Sequence, residues 1–238
     1  MLLWMLAVLA GYFVKGVAGF GNTLVVTSMM AFSRTNAELT PVELLLCVPT
    51  NLTLAFVHRR SIDWKLALPP LLMTLAGDAL GVLLLSRVDV MVMKLIFGLV
   101  LILLGLEGCY RARQQAVKPA HPALMAALGV ASGVLCGLFG VGALLAAYFA
   151  RTTRDDATYK GSMCMIFAVE NLFRVFAYGF TGLLTVATLK NAAVLLPFMA
   201  VGLALGVKCS GKMNVRVMKI VVNVLLMVSG VSLLWTYL

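Results

Sequence analysis

The chain has 238 residues, 62% of them hydrophobic and 12% charged, and a net charge of +10. Soluble domains carry about 25% charged residues, so this composition excludes an ordinary water-soluble domain. The basic excess sits in short loops, where it sets orientation against the cytoplasmic face, and this argues against a nucleic-acid partner.

Eight apolar regions follow in chain order: roughly 2–32, 41–57, 66–86, 91–109, 122–150, 161–180, 189–208 and 216–237. The first has no basic leader and reads as a membrane segment rather than a cleaved signal. Regions 2–32 and 122–150 hold about 30 residues each, where about 20 span the hydrocarbon core. Both carry a glycine cluster near the middle: Gly16, Gly19 and Gly21 in one, and Gly137, Gly140 and Gly142 in the other, at an offset of 121. Glycine permits a tight turn and close backbone approach. Each region is therefore expected to form two short helices in a hairpin that enters the membrane and returns.

A longer repeat supports a duplication. Residues 77–105 and 202–230 align without a gap at an offset of 125, with 11 identities in 29 positions. The repeats divide the chain into 1–112, a connecting loop at 113–121, and 122–238. Loop charge discriminates between topologies. If all eight regions cross, Lys and Arg split seven against ten. If the two glycine-rich regions return to their starting side, the split becomes thirteen against four, a proper positive-inside bias. The expected fold is an all-α polytopic membrane protein of two inverted repeats, each a broken hairpin plus three transmembrane helices. Both termini then lie on the non-cytoplasmic side. The alternative is a tilted long helix in each glycine-rich region and parallel repeats.

Polar groups inside a membrane are costly and need a reason. Gly19, Gly21, Asn22 and Thr23 open a second half-helix, and Gly140 and Gly142 open its counterpart. A helix that starts at membrane depth aims unpaired N–H groups and positive dipole at whatever faces it, which suits an anion. Close helix packing is the alternative use of such glycines. Thr50 and Asn51 follow Pro49, and Asn171 stands at the corresponding place, offering donors for an oxoanion or bonds between helices. Arg174 is a permanent cation one turn after Glu170 and Asn171. It offers a planar fork to a sulfonate or carboxylate, or a local pair with Glu170 at i,i+4. Lys15 is a similar cation that could instead snorkel to the interface. Glu170 and Asp78 are candidate proton relays, although Asp78 could sit solvated near a helix end. Trp4, Trp64, Trp235 and Tyr237 read as interfacial anchors. Five cysteines without a CxxC pair read as packing residues, and two loop histidines give a metal site little to build on. No nucleophile–base pair, phosphate loop or cofactor motif is present. Gly16-Val-Ala-Gly-Phe-Gly21 mimics a dinucleotide loop without the strand such a loop needs.

The segments Gly16-Val-Ala-Gly-Phe-Gly-Asn22 and Gly133-Val-Leu-Cys-Gly-Leu-Phe-Gly-Val-Gly142, with Pro49-Thr50-Asn51, Pro69-Pro70 and Pro197, resemble the TauE/SafE sulfite exporter family, also called toluene sulfonate uptake permeases. The likeness spans nearly the whole chain. The family often shows a third glycine where Asn22 and Ala143 stand, with a proline shortly after. The resemblance implies a bacterial inner-membrane permease for sulfite, sulfonates or related organic anions. The residues and the resemblance together give a secondary transporter of a small anion by alternating access, with H+ as a possible coupling ion and no cofactor or enzyme activity. A passive anion channel and a membrane scaffold without its own substrate are the competing classes.

Overall fold

The first over-long apolar region breaks where its glycines sit. Helix α1 (Leu2–Ala18) ends at Gly19, whose φ of 83° is left-handed and whose N–H donates to the Lys15 carbonyl at 2.7 Å. Gly21 has φ 92°, and helix α2 (Asn22–Met30) starts directly after it. At about 1.5 Å per residue, the 17 residues of α1 rise about 25 Å and the nine of α2 about 14 Å. Each is shorter than a hydrocarbon core of about 30 Å. Gly21→Ala is expected to cost about 1–2 kcal/mol of stability, read as a lowered unfolding temperature in detergent. A Cβ there would meet only Val14, at 3.5 Å, so the loss comes from backbone conformation rather than crowding.

This computed structural model describes residues 1–30, 33–85, 89–112, 122–139, 142, 145, 149, 156–209, 224, 227, 231, 234 and 235. The remaining elements are α3 (Asn36–Val57), a 3-10 turn (Arg59–Ser61), α4 (Trp64–Leu85), α5 (Val90–Ala112), α6 (Pro122–Phe139), α7 (Asp156–Phe180) and α8 (Val186–Cys209). Helices satisfy their own backbone groups, as lipid requires. Three of these helices have starts capped by the local sequence. Thr35 and Glu38 exchange two 3.3 Å bonds at the start of α3, a capping box. Asp63 Oδ1 accepts from the Lys65 and Leu66 N–H groups before α4, and Thr185 Oγ1 accepts from the Thr188 N–H before α8.

Four of the described helices are long and apolar enough to cross a membrane: Glu38–Val57, Trp64–Leu84, Ala157–Phe180 and Val186–Cys209. The distribution of polarity is inverted relative to a soluble protein. Phe180, Leu2, Val186 and Phe176 are exposed, whereas Lys15, Glu43, Asp78, Glu170 and Arg174 are buried. Water would reverse both placements, and hydrocarbon selects them. The protein is an all-α multi-pass membrane protein.

The chain forms two compact units, each drawing on both sequence halves. One comprises Met1–Leu39, Val88–Val117 and Ala193–Leu238, and the other Thr40–Arg87 and Lys118–Ala192. The units and the sequence repeats are thus different divisions of the chain.

In the first unit, α1 packs on α8 through Gly16, Gly202 and Gly206. A Cβ at Gly16 would lie 2.6 Å from the Leu203 carbonyl oxygen, and one at Gly206 would collide with the Phe13 carbonyl. In the second unit, α4 packs on α6 through Gly77, Gly81, Gly133 and Gly137. A Cβ at Gly81 would lie 2.5 Å from the Val134 carbonyl oxygen, and one at Gly77 would collide with that of Val130. Gly77 and Gly81 are the repeat partners of Gly202 and Gly206, and Gly137 is that of Gly16. Equivalent glycines therefore make equivalent backbone contacts in each unit.

At one end of the second unit, the α3–α4 connection meets the start of α7. A Cβ at Gly161 would lie 2.9 Å from the His58 carbonyl oxygen, and the Asp63 N–H donates to Ser162 Oγ at 3.1 Å. Burial and the neighbouring Lys160 hold the His58 imidazole below its ordinary value of 6.5. The folded protein therefore resists protonation there, and the stability this contributes is present above pH 6.5 and lost as pH falls toward the lowered value. The unfolding temperature is expected to step down just below that pH, and His58→Gln to remove the step.

Trp4 is not an interfacial anchor. It is 1% exposed, with the Arg34 guanidinium 5.3 Å from its ring centre, so packing and a cation–π contact claim it. Trp64 and Trp235 are exposed, as an interfacial role requires; Tyr237 lies outside the described residues. Cys47, Cys136 and Cys164 are buried.

Candidate functional site

Two groups of buried polar residues emerge, one in each unit. In the first, the turn at Gly19–Gly21 sets Asn22 and Thr23 at the start of α2, where the first N–H groups of a helix have no internal partner. Asn22 Nδ2 donates to Thr23 Oγ1 at 3.2 Å, and both side chains are buried. Lys15 lies in the last turn of α1, where a cation is favoured by the dipole. It does not snorkel: it is 2% exposed, with its ammonium 5.6 Å from the centre of the Tyr12 ring. Gly19, Gly21, Asn22 and Thr23 are thus brought together with a buried cation from the preceding helix.

In the second unit, α4, α6 and α7 carry the other group. Asp78 on α4 is fully buried, so it does not sit solvated at a helix end. Its Oδ1 lies 3.7 Å from Arg174 Nε on α7, an ion pair too long for a hydrogen bond. Among the described residues, neither Asp78 oxygen nor Arg174 Nε has a hydrogen-bond partner. Arg174 instead donates through Nη2 to the Tyr178 hydroxyl at 3.1 Å, and that hydroxyl donates to the Gly137 carbonyl of α6 at 3.0 Å. The sequence allowed Arg174 to pair locally with Glu170, yet its carboxylate partner is across the helix interface. Glu170 Oε2 accepts from the Cys136 thiol at 3.7 Å, and its Oε1 has no hydrogen-bond partner. Asn171, 5% exposed, keeps its Nδ2 donor unspent.

The other predicted residues divide. The Thr50 hydroxyl donates to the Cys47 carbonyl of its own helix at 2.9 Å, near the donor gap that Pro49 creates. Asn51 is buried, and its Oδ1 has no hydrogen-bond partner. Gly142 is close-packed: a Cβ there would collide with the Phe167 ring. Gly140 lies outside the described residues.

Sequence reasoning missed Tyr178 and Cys136. Tyr178 was within reach, because Glu170, Asn171, Arg174 and Tyr178 fall at i, i+1, i+4 and i+8, one stripe of a helix. Nothing local marks Cys136, whose importance comes from facing Glu170 across two helices.

Among the described residues, no group of three His, Cys, Asp or Glu side chains could hold a metal. The arrangement supplies a buried guanidinium, an amide donor and two carboxylates in apolar surroundings. It can bind charge and exchange protons. The family model for the sulfite exporter TauE/SafE matches residues 3–233. The chain belongs to that family. A TauE/SafE relative in Cupriavidus necator, a probable sulfite/organosulfonate exporter TauE, is 25% identical over 207 residues, covering 83% of this chain and 79% of the relative. No solved structure matches the chain. As a TauE/SafE member, the protein is a membrane-embedded transporter.

Proposed function

We propose that this TauE/SafE protein is a secondary transporter of a small anion, of the sulfite, sulfonate or organic carboxylate class, in a bacterial inner membrane. The observation that carries the reading is Arg174. A guanidinium in a membrane span is costly, and this one is 4% exposed with Nε unspent, one turn from an unspent Asn171 amide donor. Fixed donors that never need to lose a proton suit an oxoanion of variable protonation. In the other unit, the start of α2 and the buried Lys15 form a separate basic group. Gly19, Gly21, Asn22, Thr23, Thr50, Asn51, Gly140, Gly142, Asn171 and Arg174 form the substrate set of this proposal.

Two buried carboxylates facing a single guanidinium leave one negative charge in excess when all are ionised. The interior tolerates that poorly, so Glu170 and Asp78 are assigned as the proton relay. Coupling an anion to H+ then moves little net charge.

The inverted-repeat topology has support from the end of the second unit. His58, Ile62 and Asp63 meet Gly161 and Ser162 there. If α4, α5 and region 122–150 all crossed fully, those segments would lie on opposite faces. A region 122–150 that returns to its starting side puts them on one face, together with Arg59, Arg60, Lys65 and Lys160. Two repeats of opposite orientation give two interchangeable arrangements, the geometry of alternating access.

Uptake by proteoliposomes from a panel of labelled sulfonates and carboxylates, with and without a pH gradient, tests the proposal. Saturable uptake accelerated by the gradient is the expected result. Non-saturating flux would favour a passive channel, and no flux of any anion would favour a scaffold.

A further inference from the structure

Within the second unit, four contacts close a circuit through three helices. The backbone of Asp78 on α4 touches Gly137 on α6, where a Cβ would lie 2.5 Å from the Asp78 carbonyl oxygen. The Asp78 carboxylate faces Arg174 on α7, Arg174 donates to Tyr178, and Tyr178 returns to Gly137. Arg174 can only donate, so the Tyr178 oxygen must accept from it and spend its own proton on Gly137. Gly137 lies near the end of α6, and its carbonyl accepts the Tyr178 hydroxyl. Tyr178 thus ties the end of α6 to α7.

One link differs from the rest. Asp78 and Arg174 are 3.7 Å apart, held by charge without a hydrogen bond. The other contacts do not depend on ionisation near neutral pH. The Asp78 main chain is clamped, because Gly133 and Gly137 of α6 lie against its amide and its carbonyl. The guanidinium, on a flexible stem, is the part able to move.

We propose that Tyr178 is a positioning residue that holds the C-terminal end of α6 while Asp78 and Arg174 are paired, and lets go when a proton on Asp78 or an anion on Arg174 breaks the pair. This rests on the transporter reading for its purpose, although the latch itself needs no substrate. It would tie proton and anion occupancy to the contact between α6 and α7. The titratable groups that bear on Asp78 are Arg174, Glu170 and Tyr178 from α7 and Cys136 from α6.

Cys136, one residue before Gly137 and 3% exposed, is a built-in reporter. In a background with Cys47, Cys109, Cys164 and Cys209 replaced by alanine, the rate of Cys136 alkylation by membrane-permeant N-ethylmaleimide is measured in membranes across pH. The readout is the ratio of the Tyr178→Phe rate to that of the parent, in which effects of pH on the thiol common to both cancel. The ratio is expected to be about tenfold near neutral pH, the worth of one lost hydrogen bond, and to fall toward one in acid, where the parent latch is also open. A ratio of one throughout, or one raised equally at every pH, overturns the proposal; the second outcome would make Tyr178 a packing residue only. Asp78→Asn, nearly isosteric, is expected to label fast at every pH, with Tyr178→Phe adding nothing. Parent-like labelling of Asp78→Asn overturns the latch even if Tyr178→Phe fails to accumulate. Since no transported anion is needed, failure of the latch and failure of the transport reading remain separable.

Discussion

Arg174→Gln is expected to lower anion uptake roughly 30- to 1000-fold, equivalent to about 2–4 kcal/mol of lost charge-assisted binding. Nε is free to serve the substrate, since no described group accepts from it. Removing the cation also leaves Asp78 buried beside a neutral amide. A lone buried carboxylate is costly, but it escapes most of that cost by taking up a proton. The variant is therefore expected to insert and fold, so that transport fails while protein level holds. Arg174→Lys should not rescue uptake, because one ammonium cannot serve both the Tyr178 hydroxyl and the direction of Asp78 in the geometry of the fork. Asn171→Ala removes a neutral donor only and is expected to cost about tenfold. Parent-like flux in both Arg174→Gln and Asn171→Ala would remove this face of α7 from the site.

Gly133→Val is expected to destabilise the protein by about 3 kcal/mol or more, enough to abolish monodisperse protein after detergent extraction. A Cβ at Gly133 would collide with the Thr74 carbonyl and lie 2.8 Å from the Asp78 amide nitrogen. Both obstacles are main-chain atoms of α4, which have no rotamer to change. The two helices would have to separate along their length, and Asp78 would be carried away from Arg174. Gly179→Ala, on the same unit's α7, is the contrasting control. Nothing lies within 4 Å of a Cβ there, so the gain in helix propensity should stabilise by about 0.5–1 kcal/mol. Thermal unfolding of the two variants in one detergent separates crowding from propensity. Equal effects would mean that the α4–α6 interface is not the tight contact described.

The membrane class, the break at Gly19–Gly21 and the candidate polar residues were legible in the sequence, because each has a local cause. Hydrocarbon length fixes how many apolar residues a span needs, and α1 stops where glycine tolerates a left-handed turn. Asn22, Thr23, Asp78, Glu170, Asn171 and Arg174 stood out because polar side chains are rare in apolar runs, and all of them are buried. The duplicated glycines were legible as a pattern but not as a contact. Their spacing on α4 and α8 gives no sign that the partners are α6 and α1, elements of the opposite sequence half.

Pairing was decided by the tertiary structure alone. Glu170 and Arg174 have the spacing of a helical ion pair, yet Arg174 reaches Asp78 and Glu170 meets Cys136. An i,i+4 attraction is worth only about 0.2–0.5 kcal/mol, too little to hold a guanidinium against a buried carboxylate and a tyrosine hydroxyl on its other side. Trp4 likewise is buried, with the Arg34 guanidinium over its ring. The sequence by itself determined which residues are too polar for lipid. Only the packing of α4, α6 and α7 determined which of them face one another, because side chains from separate helices meet only after the glycines have let those backbones touch.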